Sequence, residues 1–228
     1  MRGFDLYCGG GGCSMGYHRA GFEMVGVDNR PQPRYPFPFI LGDAIDVLTR
    51  MMNGEKFLAS DGRWYGIDDF DFFHASPPCQ AYSRITPWSG AREKHPDLLQ
   101  PTIDVLDRVG KPYVVENVPG APMKNYLMLC GTMFGLRVFR HRLFVCKPSI
   151  HMSPMTCNHH GYSRNSVRGV NRDKYKNGTF ITVAGHIGNF EMAKSAMGID
   201  WMNRRELTQA VPPVYTEWVG NQLMAVLR

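Results

Sequence analysis

No two cysteines stand at Cys-x-x-Cys spacing, and the six in the chain (positions 8, 13, 79, 130, 146 and 157) form no regular framework. That excludes a disulfide-stapled scaffold, and reduced thiols are expected. No apolar run is long enough to span a membrane, so no membrane partner is expected. The opening residues Met1-Arg2-Gly3-Phe4-Asp5 enter a strand-like run without a signal-peptide pattern, which points to the cytoplasm. A glycine run is present at Gly9 to Gly12, but no Lys-Ser/Thr pair follows it, which argues against a nucleotide-phosphate loop. Internal repeats and low-complexity tracts are also missing.

The chain does have ample material for a core. Its 228 residues are 43% hydrophobic and 20% charged, enough for one sizeable α/β domain with a small insert. The formal charge is +6, and residues 147–178 carry most of it. There Lys147, Arg164, Arg168, Arg172, Lys174 and Lys176 face a single acid, Asp173, with Tyr162 and Tyr175 interleaved. A basic, aromatic-bearing segment of this kind suits a phosphate backbone.

Apolar runs at 3–7, 24–27, 39–41, 70–75 and 113–115 read as strands, with further short strands expected at 126–130, 141–146 and 180–183. Helical spacing is expected over 14–20, 44–52, 96–109 and 216–227, while 53–69 reads as an irregular insertion and 80–95 as a mobile loop. Strands alternating with helices predict a mostly parallel sheet with helices on both faces, a Rossmann-like arrangement. Asp5, Asp28, Asp43, Cys79 and Glu116 then gather at one edge of the sheet, where open α/β sheets bind ligands. Gly9, Gly11 and Gly12 permit a tight turn and close backbone approach to a ligand. Asp28, some 20 residues on, suits a ribose hydroxyl. Asp43 suits either an adenine amino group or the cap of the following helix. Cys79 follows Pro77-Pro78, which stiffen the backbone ahead of the thiol, and Glu116 offers an acid partner for this candidate nucleophile.

These stretches resemble the S-adenosylmethionine-dependent cytosine carbon-5 methyltransferases. Asp5-Leu6-Tyr7-Cys8-Gly9-Gly10-Gly11-Gly12 is similar to the family's first motif, with Tyr7 where Phe is usual. Ser76-Pro77-Pro78-Cys79-Gln80 resembles the Pro-Cys-Gln nucleophile motif, Glu116-Asn117-Val118 the Glu-Asn-Val motif, and Arg140-His141-Arg142 the Arg-x-Arg motif. Gln209-Ala210-Val211-Pro212-Pro213 resembles the last motif, and the order of the five is the family's. The resemblance implies catalytic roles for Cys79, Glu116, Arg140 and Arg142. It implies a cofactor site made by Asp5, Tyr7, Gly9, Gly11, Gly12, Asp28, Asn29, Asp43 and Pro78. The implied product is S-adenosylhomocysteine, and the implied substrate is a flipped-out cytosine, in double-stranded DNA. Positive charge from Arg140 and Arg142 is expected to favour the Cys79 thiolate.

The chain departs from the family pattern in places. Val138 replaces the Gln two residues before Arg140, and Thr208-Gln209 stands where Gly-Asn is common. The usual target-recognition region is reduced to residues 147–178, as in the compact bacteriophage and prophage members, some of which serve restriction-modification. Residues 1–146 and 179–228 are accordingly expected to form the catalytic domain, acting as a monomer in a bacterial host cell. Cys146, His151, Cys157, His159 and His160 could supply four zinc ligands, but their spacing matches no standard finger and they read as a basic loop without metal. Three rivals stand beside the DNA enzyme. One is a tRNA-methylating enzyme of the same family, since a small recognition region suits a target read by shape. The others are a non-catalytic nucleic-acid-binding protein of the same fold and a nicotinamide-dependent oxidoreductase.

Overall fold

The computed structural model describes residues 1–79, 82, 97–150, 156–159, 180–185 and 187–227. Its frame is a seven-stranded sheet. In chain order the strands are β1 (Arg2–Leu6), β2 (Glu23–Asp28), β3 (Phe39–Leu41), β6 (Phe72–Ala75), β7 (Tyr113–Asn117), β8 (Leu127–Leu129) and β9 (Arg142–Lys147). A separate antiparallel ribbon pairs β4 (Phe57–Leu58) with β5 (Trp64–Tyr65). Among the described residues the α-helices are α1 (Gly12–Arg19), α2 (Ala44–Met52), α3 (Leu99–Val109), α4 (Phe190–Met197), α5 (Arg204–Gln209) and α6 (Pro213–Leu227).

The sheet order is β3-β2-β1-β6-β7-β9-β8. The first five strands in that order run parallel, and β9 and β8 are antiparallel to their neighbours. The chain moves outward from β1 to β3 and then crosses back to β6, so the order reverses between β1 and β6. Such a reversal opens a crevice at the carboxyl ends of the two strands. The glycine loop leaves β1 there, and the Pro-Pro-Cys turn leaves β6 beside it.

Central strands of a parallel sheet are covered on both faces and so read as continuous apolar runs. All of β6 and β7 is buried, as are four of the five residues of β1. One core cluster, with Phe4, Phe70, Phe73, Leu48 and Val105, joins the sheet to α2 and α3. The second, with Tyr17, Phe22, Phe72 and Tyr215, joins the other face to α1 and α6. Thr216 Oγ1 donates to the Cys13 carbonyl at 2.8 Å and locks α6 to α1. A Cβ at Gly16 would stand 2.0 Å from that same hydroxyl, so only glycine allows this approach. Local signals set several ends: Asp43 caps α2 through the amides of Ile45 and Asp46, and α3 stops at Gly110, whose φ is +71°.

Some expectations change. Residues 180–183 form no strand: Ile181 donates to the Arg137 carbonyl, and Val183 offers its own carbonyl to Arg140. Ile181 and Val183 pack instead in a third cluster with α4 and α5, two short helices absent from the sequence reading. The supposed irregular insertion at 53–69 holds the β4–β5 ribbon. The loop at 80–95 lies outside the described residues apart from Tyr82.

Candidate active site

The loop after β1 turns through alternating left-handed positions: Tyr7 (φ 61°), Gly9 (φ 50°) and Gly11 (φ 83°). A side chain is strained there, and Tyr7 tolerates it with its ring packed on the core and its hydroxyl 2.9 Å from Thr102 Oγ1. The glycines divide into two kinds. A Cβ on Gly11 would press on Tyr35 and Pro36, and one on Gly12 would stand 2.5 Å from the Val211 carbonyl. These two let the loop pack against the 31–38 segment and the start of α6. Gly9 faces open space, with nothing within 4 Å of an added Cβ.

Asp28 holds this loop. Its Oδ2 accepts from the Gly9 amide at 3.1 Å and its Oδ1 from the Arg30 amide at 3.0 Å. Each oxygen retains a lone pair, and the half-buried carboxylate remains within reach of a ligand. Asn29 beside it is exposed. Asp43 is exposed too, and although its Oδ1 caps α2, its Oδ2 takes no part in that cap.

Asp5 lies beneath the loop, fully buried. Ser14 Oγ donates to its Oδ2, and Ser14 is in turn 2.7 Å from the Tyr35 hydroxyl. Its Oδ1 has no hydrogen-bond partner. Burial, with help from the nearby Asp28 and Glu116 charges, raises the Asp5 carboxyl to about 7.

Across the crevice, Pro77-Pro78 present Cys79 at the end of β6. Asn117, at the end of β7, ties the two strand ends together: its Nδ2 donates to the Pro77 carbonyl at 3.1 Å, and its Oδ1 accepts from the Val118 amide at 2.9 Å. Glu116 is buried next to it. Arg142 Nε stands 2.9 Å from Glu116 Oε1, yet that oxygen receives no well-directed hydrogen bond. The pair is an ion pair that leaves a carboxylate oxygen available. Burial raises the Glu116 carboxyl, while Arg142 and a hydrogen bond from Ser76 pull the other way.

A buried chain backs this carboxylate. The Tyr17 hydroxyl is 3.0 Å from His74 Nδ1, and His74 Nε2 is 2.9 Å from Ser76 Oγ. Burial alone lowers His74 to about 3, so the ring is neutral. One assignment satisfies every link: Tyr17 donates to Nδ1, Nε2–H donates to Ser76, and Ser76 donates to Glu116. Sequence reasoning missed His74, because a histidine inside an apolar strand carries no local signal of its partners.

The two arginines have different positions. Arg142 faces Glu116 and also donates from Nη1 to the His141 carbonyl. Arg140 is directed elsewhere: it donates to the carbonyls of Ala210 (2.6 Å), Val183 (2.6 Å) and Thr208 (2.8 Å). It therefore pins the last motif to the sheet. Burial and the neighbouring Arg142 charge lower its guanidinium to about 9. Nor does the site lower the Cys79 thiol as expected. Burial and Glu116 raise it by more than Arg142 and Arg140 lower it.

A strand-end thiol beside a buried acid–arginine pair, across a crevice from a glycine loop, can perform nucleophilic chemistry on a bound ring. A model of the C-5 cytosine-specific DNA methylases matches residues 1–127, more than half of the chain. The chain belongs to that family. Solved structures share the fold of this methylase along its full length. A prophage-encoded putative DNA modification methyltransferase from E. coli aligns at TM-score 0.65 and 15% identity, covering 100% of this chain and 99% of that one. The S. pombe Dnmt2 methyltransferase aligns at 0.60 and 13%, covering 99% of each chain. The Entamoeba histolytica methyltransferase EhMeth aligns at 0.57 and 12%, covering 100% and 99%. A comparison with curated proteins returned no match. No helix among the described residues of the methylase is long and apolar enough to cross a membrane.

Proposed function

We propose that this methylase transfers a methyl group from S-adenosylmethionine to carbon 5 of cytosine in double-stranded DNA, through a covalent adduct with Cys79. The observation that carries the reading is the meeting of Cys79, Glu116 and Arg142 at the crevice beside the glycine loop. Carbon 5 of cytosine is a weak nucleophile. Addition of the Cys79 thiolate to carbon 6 makes the ring an enamine and places electron density on carbon 5. Glu116, its carboxyl raised by burial, is suited to hold a proton at ring nitrogen 3 and ease that addition. Arg142 holds Glu116 in place and offers its remaining N–H groups to the pyrimidine carbonyl oxygen. After methylation, loss of the carbon-5 proton and of Cys79 restores the aromatic ring. Because the thiol is raised in the free protein, the addition draws on a minor thiolate population, and the proton that Glu116 holds at ring nitrogen 3 favours that addition.

The residues around β1 fit the cofactor. Asp28 keeps free lone pairs for a ribose diol, and Gly9 leaves room beside it. The buried Asp5 with its orphaned oxygen makes the region short of positive charge, which suits a sulfonium cation. When bound, the cofactor supplies an electrophilic methyl group. Tyr7, Gly9, Asp28, Asn29, Asp43 and Pro78 form the proposed binding surface, with Asp5 buried beneath it and Gly11 and Gly12 shaping the loop. Residues 147–178, mostly outside the described residues, serve in this reading as a small phosphate-binding insert joined to a catalytic domain of 1–146 and 179–228.

The test is direct. Wild type is expected to form a denaturation-resistant adduct with duplex DNA containing 5-fluorocytosine, since fluorine blocks the elimination step. Cys79→Ser should form none while retaining cofactor binding. Equal methylation by the serine variant would remove Cys79 from its role. Adduct formation on tRNA but not on DNA would reassign the substrate.

A further inference from the structure

Four soft metal-ligating side chains converge just beyond the paired ends of β8 and β9, at the same carboxyl-end edge of the sheet as the crevice. They are Cys130, His141, Cys157 and His159, and their ligand atoms all lie within 4.8 Å of one another. His159 Nε2 is 3.2 Å from Cys130 Sγ and 3.0 Å from Cys157 Sγ, and His141 Nε2 is 3.4 Å from Cys157 Sγ. A tetrahedral zinc ion with bonds of about 2.3 Å to sulfur and about 2.0 Å to nitrogen needs S···N edges of about 3.5 Å and an S···S edge of about 3.8 Å. These three S···N contacts are about 0.1–0.5 Å shorter than that edge, and the four ligand atoms together span no more than 4.8 Å.

The backbone sets the ligands in place. Leu129 pairs with Arg142 across the antiparallel strands β8 and β9, so the next residues outward, Cys130 and His141, come side by side. Gly131 donates to the Phe139 carbonyl and closes the same turn. Cys157 and His159 arrive from the basic insert, with the His159 ring 4.1 Å from that of Phe139. Thr132 Oγ1 lies 3.3 Å from Cys130 Sγ and 3.9 Å from Cys157 Sγ, where it would donate to thiolate ligands. Of the five residues weighed as zinc ligands from sequence, only Cys157 and His159 take part. Cys146, on β9, pairs with Val114 of β7, and His151 and His160 lie outside the described residues. The converging set is spread over three segments with no finger-like spacing.

We infer that Cys130, His141, Cys157 and His159 bind one zinc ion. Binding replaces two thiol protons, which leave to solvent, and gives a neutral site with two thiolates and two neutral imidazoles. Four protein ligands leave no open position, so the ion is structural. Its place explains its use. It fastens the insert to His141, the residue between Arg140 and Arg142, whose carbonyl accepts from Arg142 Nη1. The segment that meets nucleic acid would thereby be anchored to the strand that carries the pyrimidine-facing arginine.

The full chain, purified with a thiol reductant and no chelator, should contain about one zinc per molecule by plasma mass spectrometry. Cys146→Ser should keep it, and Cys157→Ser should lose nearly all of it. Because Cys157→Ser could misfold, His159→Cys supplies a second arm. This variant preserves a ligand, so it should retain the metal, and its cobalt(II) form should show stronger thiolate-to-cobalt charge transfer than wild type. Folded wild type that carries no zinc and binds neither zinc nor cobalt(II) would overturn the site. So would full zinc content in Cys157→Ser, an unchanged cobalt spectrum in His159→Cys, or a Cys130–Cys157 disulfide found by mass spectrometry. None of these readouts depends on methyl transfer, so failure here is separable from failure of the proposed reaction.

Discussion

Asn117 donates from Nδ2 to the Pro77 carbonyl over 3.1 Å, and this bond fixes the turn that carries Cys79 to the strand that carries Glu116. Both groups are buried, so removing the donor leaves a carbonyl without a partner. Asn117→Ala should cost about 1–3 kcal/mol of stability. It should lower kcat far more than it changes cofactor affinity, by up to about 100-fold if the turn shifts by an ångström. Denaturation midpoints, calorimetry and initial rates together check this. Unchanged kcat would mean that the two prolines hold the thiol without help.

The Cys79 thiol is raised chiefly by burial and further by Glu116, against the pull of Arg142 and Arg140. Iodoacetamide reacts with thiolate, so the pH profile of Cys79 alkylation reports this balance. Its inflection should lie above that of an ordinary cysteine. Glu116→Gln removes a negative neighbour and should move the inflection to lower pH, even though it impairs catalysis. A shift in the opposite direction would contradict the arrangement of charges. Mass spectrometry of the modified peptide separates Cys79 from the other cysteines.

Asp28 anchors the Gly9 amide as well as facing the crevice. Asp28→Ala should therefore weaken S-adenosylmethionine binding both by losing charged hydrogen bonds and by loosening the loop. Each charged bond contributes about 1.5–3 kcal/mol, so a loss of ten-fold or more in affinity is expected by calorimetry. Asp28→Asn keeps an acceptor for the Gly9 amide and should lose less. Equal, small losses in both variants would place the ribose elsewhere.

Much of this arrangement is legible in the chain because its signals are local. Strand β3 at 39–41 and helix α2 at 44–52 are found where the apolar pattern and the Asp43 cap put them. Cys79 and Glu116 were visible because a strand end followed by a rigid turn needs no distant information. The run 180–183 misled because β-branched residues pack equally well in an extended segment that has no sheet partner. Its hydrogen bonds go to Arg137 and Arg140, more than 40 residues away. The same distance hides the role of Arg140, whose side chain looked catalytic by motif and serves the Ala210, Thr208 and Val183 carbonyls. Helix α5 did carry a readable capping box, Asn203 with Glu206, but its six residues are too few to show a period.

Two buried groups give stability an unusual pH dependence. Asp5 is raised from 3.8 to about 7, chiefly by burial. The folded state therefore binds its proton more tightly than the unfolded chain, and this contribution, full at low pH, is lost as pH rises from about 4 through 7. His74 is lowered from 6.5 to about 3 by burial. Here the unfolded chain binds the proton more tightly, so stability is full above 6.5 and falls as pH drops toward 3. Between about pH 4 and 6.5 the two slopes oppose each other, each near 1.4 kcal/mol per pH unit. Asp5→Asn mimics the protonated carboxyl and keeps an acceptor for Ser14, so it removes the Asp5 slope alone. The variant should gain stability relative to wild type by about 1 kcal/mol or more for each pH unit from 4 to 7, because every other titrating group is shared. Urea denaturation of both proteins across that range measures the difference. Parallel curves would show that Asp5 is ionised at all these pH values, which would require a cation close to its orphaned oxygen even without the cofactor.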